Sequence, residues 1–177
     1  IYGVQGSGKS TIIEWFGLRI IGEKYYAYVQ SLDDLTCRFS SLRCKKSFIV
    51  VDEIDTWSGD RKTANKLKSI LTQTKTKLEI KNKDAVNIDD YANFTFISNY
   101  KNFLCIEGRN DRRYCIQEAH SCKVGDKAYF NKLNIDLGNE PLNRILTKEE
   151  QIHSGKVAKT FFHFLMKRDL TGFDTRN

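Results

Sequence analysis

The chain has 177 residues, enough for one domain with a proper core, and its single proline, 11 glycines and 40% apolar content exclude a disordered or fibrous protein. No apolar run is long enough to cross a bilayer and no signal-peptide pattern is visible, so no membrane partner is expected. The net charge of +7 is concentrated in residues 61 to 83, which carry eight Lys/Arg against one Glu. Such a run is either a solvated helix face or a track for a polyanion.

The chain opens on "IYGVQGSGKST", in which Gly3, Gly8, Lys9 and Ser10 fit the phosphate-loop pattern G-x-x-x-x-G-K-[ST]. Glycines are needed there because backbone N–H groups must curl around phosphate oxygens, and a side chain would block that approach. Gln5, Gly6, Ser7 and Thr11 complete the expected cradle. Lys9 is expected to reach the terminal phosphates and the Ser10 hydroxyl to ligate Mg²⁺. In the segment that follows, Ile12, Ile13, Phe16, Ile20 and Ile21 recur at helical spacing and Gly22 stands where a helix stops. The positive end of that helix faces the same anion. A strand should precede the loop, yet only Ile1 and Tyr2 do; without an initiator Met, the chain is expected to be a piece of a longer protein.

"KYYAYVQ" (24–30) has strand character, and residues 31–44 read as a polar helical piece with Ser31 as N-cap. Phe48 to Val51 form a β-branched run typical of a strand buried on both faces of a parallel sheet. Asp52 and Glu53 follow at its carboxyl end, where α/β sheets place their ligands. Alone, such a doublet reads equally as the cap of the next turn. Paired with the loop upstream, it predicts nucleotide hydrolysis, with Asp52 holding Mg²⁺ directly or through water and Glu53 orienting the attacking water. No N-K-x-D string for guanine is present, so ATP is the expected nucleotide.

Residues 63–74 predict a helix with Leu67, Ile70 and Leu71 on one side. "KLEIKN" and "AVNID" predict a hairpin joined at Lys83–Asp84. "NFTFISNY" (93–100) predicts a further buried strand ending in Ser98 and Asn99. An Asn at that tip either bonds the γ-phosphate or the attacking water, or is an ordinary strand-ending turn residue. "GRNDRRYCIQEA" (108–119) reads as a turn entering a strand at Tyr114, with Arg112 and Arg113 free to pair with Asp111 or Glu118 on the surface. From residue 126 onward the chain reads as helical, with Phe161, Phe162, Phe164 and Leu165 as core. The five cysteines are an odd count without zinc spacing and are expected as reduced thiols, Cys115 being a small buried one. His120, His153 and His163 stand apart from one another.

The succession "GVQGSGKST", "VVDE", "LKSILTQTKTKLEIKNKDAVNI", "FTFISNY", "DRRYCIQ" resembles the superfamily 3 helicases, in particular the ATPase domains of viral, phage and plasmid primase-helicases. The likeness covers nearly the whole chain and is most specific at "FISN" and "DRRY". It implies an α/β, three-layer, AAA+-like P-loop ATPase with a central parallel sheet and a C-terminal helical segment. The helicase core would span 1–122 and a mostly helical extension of the same domain 123–177. It further implies that Asn99 is the sensor and that Arg112 or Arg113 is an arginine finger for the neighbouring subunit, Arg112 being slightly favoured. Lys75, Lys77, Lys81 and Lys83 would line a hairpin gripping single-stranded or forked DNA inside a homo-oligomeric ring, expected as a hexamer. A fused or associated primase/polymerase module is implied, as is a location in the cytoplasm or at the site of viral, phage or plasmid DNA replication. The resulting expectation is an ATP-driven replicative DNA helicase. The alternative is an ATP-regulated DNA-binding initiator or scaffold without unwinding activity; a small-molecule phosphotransferase fits the basic hairpin poorly.

Overall fold

The computed structural model describes residues 1–36, 42–55, 61–78, 84–106, 111, 113–140 and 144–173. They form an α/β structure that falls into two compact units, Ile1–Ser121 and Cys122–Asn177.

In the first unit, helix α1 (Lys9–Trp15) continues into a π-helical stretch, Phe16–Gly22. Then come β1 (Tyr26–Val29), α2 (Leu32–Thr36), β2 (Phe48–Val51) and α3 (Arg61–Thr72). The antiparallel pair β3 (Lys75–Leu78) and β4 (Val86–Asp89) precedes β5 (Asn93–Phe96). Strands β1, β2 and β5 form a parallel sheet in that spatial order, with Tyr28 opposite Val50 and Val50 opposite Thr95. The sheet extends beyond β5 through parallel bridges: Tyr2 pairs with Ser98 on one side and Glu118 on the other. Backbone bonds Gly3 N to Ser98 O (3.2 Å) and Ala119 N to Tyr2 O (2.7 Å) hold this edge. Across the sheet the chain therefore runs β1, β2, β5, the segment before the loop, and the segment around Glu118.

Strand alternation divides the core between the two faces of the sheet. Val29, Ile49, Val51 and Phe96 pack with Leu35, Ile54, Leu67, Ile70, Phe103 and Leu104, under α2 and α3. On the other face Tyr26, Val50 and Ile97 gather Ile13, Tyr28 and Phe48 beneath α1. The predicted helix 63–74 forms as α3 and buries Ala64, Leu67 and Ile70. Ser31 caps α2 through Asp34 N–H (3.1 Å). At the root of the hairpin, Arg43 pairs with the buried Asp90 at 2.9 Å and also donates to Thr76 Oγ1.

Three expectations differ from the structure. Residues 114–116 make no strand; pairing begins near Gln117, where Tyr2 N finds its carbonyl at 3.0 Å. Cys115 is exposed rather than buried. In the second unit, helices α4 (Lys127–Leu137) and α5 (Lys148–Met166) form, α5 started by a Thr147/Glu150 capping box. None of the residues of α5 is buried, however, so the Phe161–Leu165 cluster is not a core: Phe164 is 58% exposed. Across its last two turns α5 carries Phe161 and Phe164 side by side, ring centroids 6.2 Å apart. Among the described residues no helix is long and apolar enough to cross a membrane.

Candidate nucleotide site

Loop residues 5–8 turn back over the end of the sheet because Gly6 (φ 78°) and Gly8 (φ 83°) take left-handed conformations that side chains resist. The turn delivers Lys9 and Ser10 to a cleft of about 250 Å³. Gln5, Gly6, Ser7, Gly8, Lys9, Ser10 and Thr11 line it from the loop, and Asp52, Glu53, Ile97, Ser98 and Asn99 from the strand ends. Gly3 lies just before the loop, its carbonyl 2.6 Å from Lys9 Nζ.

The Lys9 ammonium is held by oxygens from two distant parts of the chain. Besides Gly3 O it meets Val4 O at 3.0 Å, Ser7 Oγ at 3.4 Å and Asn99 Oδ1 at 3.2 Å. Burial lowers its pKa, and Asp52 partly restores it.

Asp52 is buried and fully engaged. Its Oδ2 accepts from Ser10 Oγ (2.6 Å) and from the Tyr28 hydroxyl (2.7 Å), while Oδ1 accepts from Glu53 N–H (2.7 Å). Such short bonds to a carboxylate are the strong, charge-assisted kind. Glu53 sits at φ 56°, a left-handed conformation that costs a non-glycine residue about 1–3 kcal/mol. It is pinned there by its own N–H on Asp52 and by Ile54 N on Ile97 O (3.3 Å). Ser98, buried just beyond the end of β5, donates its hydroxyl to Ile54 O and accepts from Tyr100 N–H at 3.0 Å. That staple joins the two strand ends carrying Glu53 and Asn99.

The donor set fits a Mg²⁺-type cation. Such an ion wants oxygens and keeps several waters, taking only one or two protein ligands alongside substrate phosphates. Ser10 gives its proton to Asp52, which leaves its oxygen lone pairs for a cation. Among the described residues no group of three or more His, Cys, Asp or Glu could hold a metal by itself.

Two residues of this site escape sequence reading: Tyr28 and Glu14. Tyr28 reaches Asp52 from the neighbouring strand, and the half-buried Glu14 on α1 is pushed up in pKa by burial and by Asp52. The remaining candidates lie elsewhere or outside the described residues. Arg113 is engaged by Asp111 in a two-point ion pair, Nε–Oδ1 2.7 Å and Nη2–Oδ2 2.9 Å; the partner is one its sequence offered, but the pair is half-buried rather than on the surface, the Asp111 side chain being 2% exposed. Arg112 lies outside the described residues. Lys75 and Lys77 are exposed on β3; Lys81 and Lys83 lie outside the described residues.

Solved structures with the same fold include three of the NrS-1 C terminal region. One apo structure (305–718) matches with a TM-score of 0.66 at 22% identity, covering 99% of this chain and 37% of that one. Two A-form apo structures match at TM-scores of 0.63 and 0.61, with 23% and 21% identity, each over 95% of this chain and 36% and 35% of theirs. The chain thus spans little more than a third of the solved chains it resembles, and at this identity the likeness is one of fold. None of the curated proteins matches it. A family model described as a family of unknown function, DUF5906, matches residues 1–113, from the loop through β5 to Arg113. The chain belongs to the DUF5906 family.

Proposed function

We propose that this chain is the P-loop ATPase core of a ring-forming, ATP-driven DNA helicase of replication type. The observation that carries the reading is a convergence. Lys9, Ser10, Asp52, Glu53 and Asn99 meet in one cleft, at the carboxyl ends of parallel strands where β5 runs between the loop-bearing segment and the acidic strand. That insertion separates loop and acids by one strand, which leaves room for a water between Glu53 and a terminal phosphate.

In this reading the loop N–H groups and Lys9 bind the β- and γ-phosphates of ATP. Ser10 and Asp52 hold Mg²⁺, which when bound supplies positive charge against the phosphate oxygens. Glu53 accepts the proton of the water that it orients. Asn99, already bonded to Lys9, registers the γ-phosphate. Arg113, occupied by Asp111, steadies its own segment, and Arg112 serves as the finger for the neighbouring subunit, a role worth about 10³–10⁵ in rate. Lys75, Lys77, Lys81 and Lys83 contact the backbone of single-stranded or forked DNA inside a homo-hexamer, beside a fused or associated primase/polymerase module.

The test is a strand-displacement assay with the full-length protein on forked DNA, run alongside ATP turnover with and without single strands. DNA-stimulated turnover with unwinding supports the helicase. Turnover without stimulation or unwinding favours an ATP-regulated initiator or scaffold, and failure to bind ATP refutes both.

A further inference from the structure

We infer that Tyr28 is a positioning residue of the nucleotide site: its hydroxyl fixes the orientation of the Asp52 carboxylate, and so of the Ser10 hydroxyl, for a divalent cation. The inference rests on the ATPase reading above and goes beyond it by adding a residue from the strand next to the acidic one.

The geometry begins with the parallel register. Tyr28 stands opposite Val50, two residues before Asp52, so both side chains leave the sheet on the face beneath α1. Asp52 N–H continues the ladder to Val29 O at 2.9 Å, which locks this offset. From there the phenol spans to Asp52 Oδ2 at 2.7 Å, the same oxygen that takes the Ser10 proton at 2.6 Å.

A phenylalanine would fill the same space, so the hydroxyl needs a reason. A polar group in an apolar layer costs free energy unless it is bonded. Tyr26, two residues earlier on the same face, has a buried hydroxyl with no hydrogen-bond partner, which shows that this layer does not satisfy phenols by default. At Tyr28 the proton has a well-aimed acceptor in Asp52 Oδ2 at 2.7 Å, and the Glu14 carboxyl lies within reach of the same phenol. A phenol, with an ordinary pKa of about 10, is a donor near neutral pH.

The consequence for the carboxylate is rotational. With Glu53 N–H on Oδ1 and only Ser10 on Oδ2, the Ser10 bond can swing with the serine rotamer. The phenol, carried on a paired strand, sets the plane of the carboxylate independently of α1. Ser10 then has one direction for its proton and presents its lone pairs to the cation. Partners of this outer kind commonly change metal affinity by about 10–100-fold when lost.

The test compares full-length wild type with Tyr28→Phe, which keeps the ring and its packing. ADP binding is measured without metal, and Mn²⁺ binding to the ADP complex is then followed by the loss of the free-ion EPR signal. Metal-free ADP affinity should stay within about twofold, because the loop and Lys9 are untouched. The half-saturating Mn²⁺ concentration should rise by about tenfold or more. A Mn²⁺ midpoint within twofold of wild type overturns the assignment, including where the melting temperature falls, since that pattern marks a hydroxyl serving packing alone. Wild-type protein that binds neither ADP nor ATP overturns the ATPase reading and this assignment with it, and that result is visible before the variant is examined.

Discussion

Replacing Gly17 by alanine tests the packing that seats the loop-bearing helix on the sheet. A Cβ at Gly17 would stand 2.3 Å from Cδ2 and Cε2 of Tyr26 and 2.8 Å from its Cγ. Carbon atoms pack best at about 3.5–4.0 Å, so the helix and ring must part by roughly 1 Å or more. The ring has nowhere to go: Tyr26 is 8% exposed and stacks on Phe48 at 6.0 Å between centroids. Overpacking of this kind costs about 1–3 kcal/mol, and contacts this close put Gly17→Ala at the upper end. The better helix propensity of alanine returns about 1 kcal/mol, leaving a net loss of about 2 kcal/mol. For a chain of this size that is a fall of about 4–8 °C in Tm. Gly155→Ala on α5 is the built-in contrast, since nothing lies within 4 Å of its Cβ. There the same exchange should stabilise by up to about 1 kcal/mol. Thermal and urea unfolding followed by circular dichroism measure both. Gly17→Ala as stable as wild type, or both variants moving in the same direction, would refute the packing argument. Because Gly17 lies about two turns beyond Ser10 on one helical run, a lifted helix should also weaken Mg²⁺-dependent nucleotide binding.

Glu53→Gln should bind ATP as wild type does while turnover drops by about 10²–10⁴-fold, measured by phosphate release; unchanged turnover removes Glu53 from the base role. The double change Lys75→Ala, Lys77→Ala should weaken single-stranded DNA binding and reduce the slope of log K against log salt by about 1.4, for two lost phosphate contacts. An unaltered slope would make this strand a solvated face. Glu150 is held down to about 2, first by its hydrogen bonds with Arg144 and then by backbone N–H of Thr147. A depressed carboxylate contributes stability that is complete above its unfolded pKa near 4.5 and disappears as pH falls towards 2. Glu150→Gln should therefore flatten the acid limb of a Tm-against-pH curve between those values, and a parallel curve would contradict it.

The parts of the site that are local patterns were legible before any coordinates. The loop, the buried strand ending in Asp52–Glu53 and the strand ending in Asn99 each announce themselves within a dozen residues. Their chemistry required them to share a cleft, and they line one. What stayed hidden depends on register or on distant partners. The alternation in "KYYAYVQ" marks a two-faced strand, but only its pairing with β2 shows that Tyr28 faces Asp52. Arg43 reads as part of a polar helix because its partner Asp90 is 47 residues away. The strand expected from Tyr114 does not form, and the segment around Tyr2 pairs further along, at Gln117 and Ala119. The aromatic run near Phe161 has core composition, yet composition does not say what covers a helix.

The four oxygens around Lys9 have a consequence for ligand choice. An ammonium has three protons, and here they are already in use. An arriving anion does not fill a deficit; it must outcompete neutral carbonyl and amide oxygens by offering several charged ones together. Chloride or nitrate brings a single negative charge to that exchange, whereas a polyphosphate chain brings several charged oxygens at once. Under the proposed function, the resting embrace of the lysine would act as a threshold, sorting visitors by how many negative oxygens they bring at once.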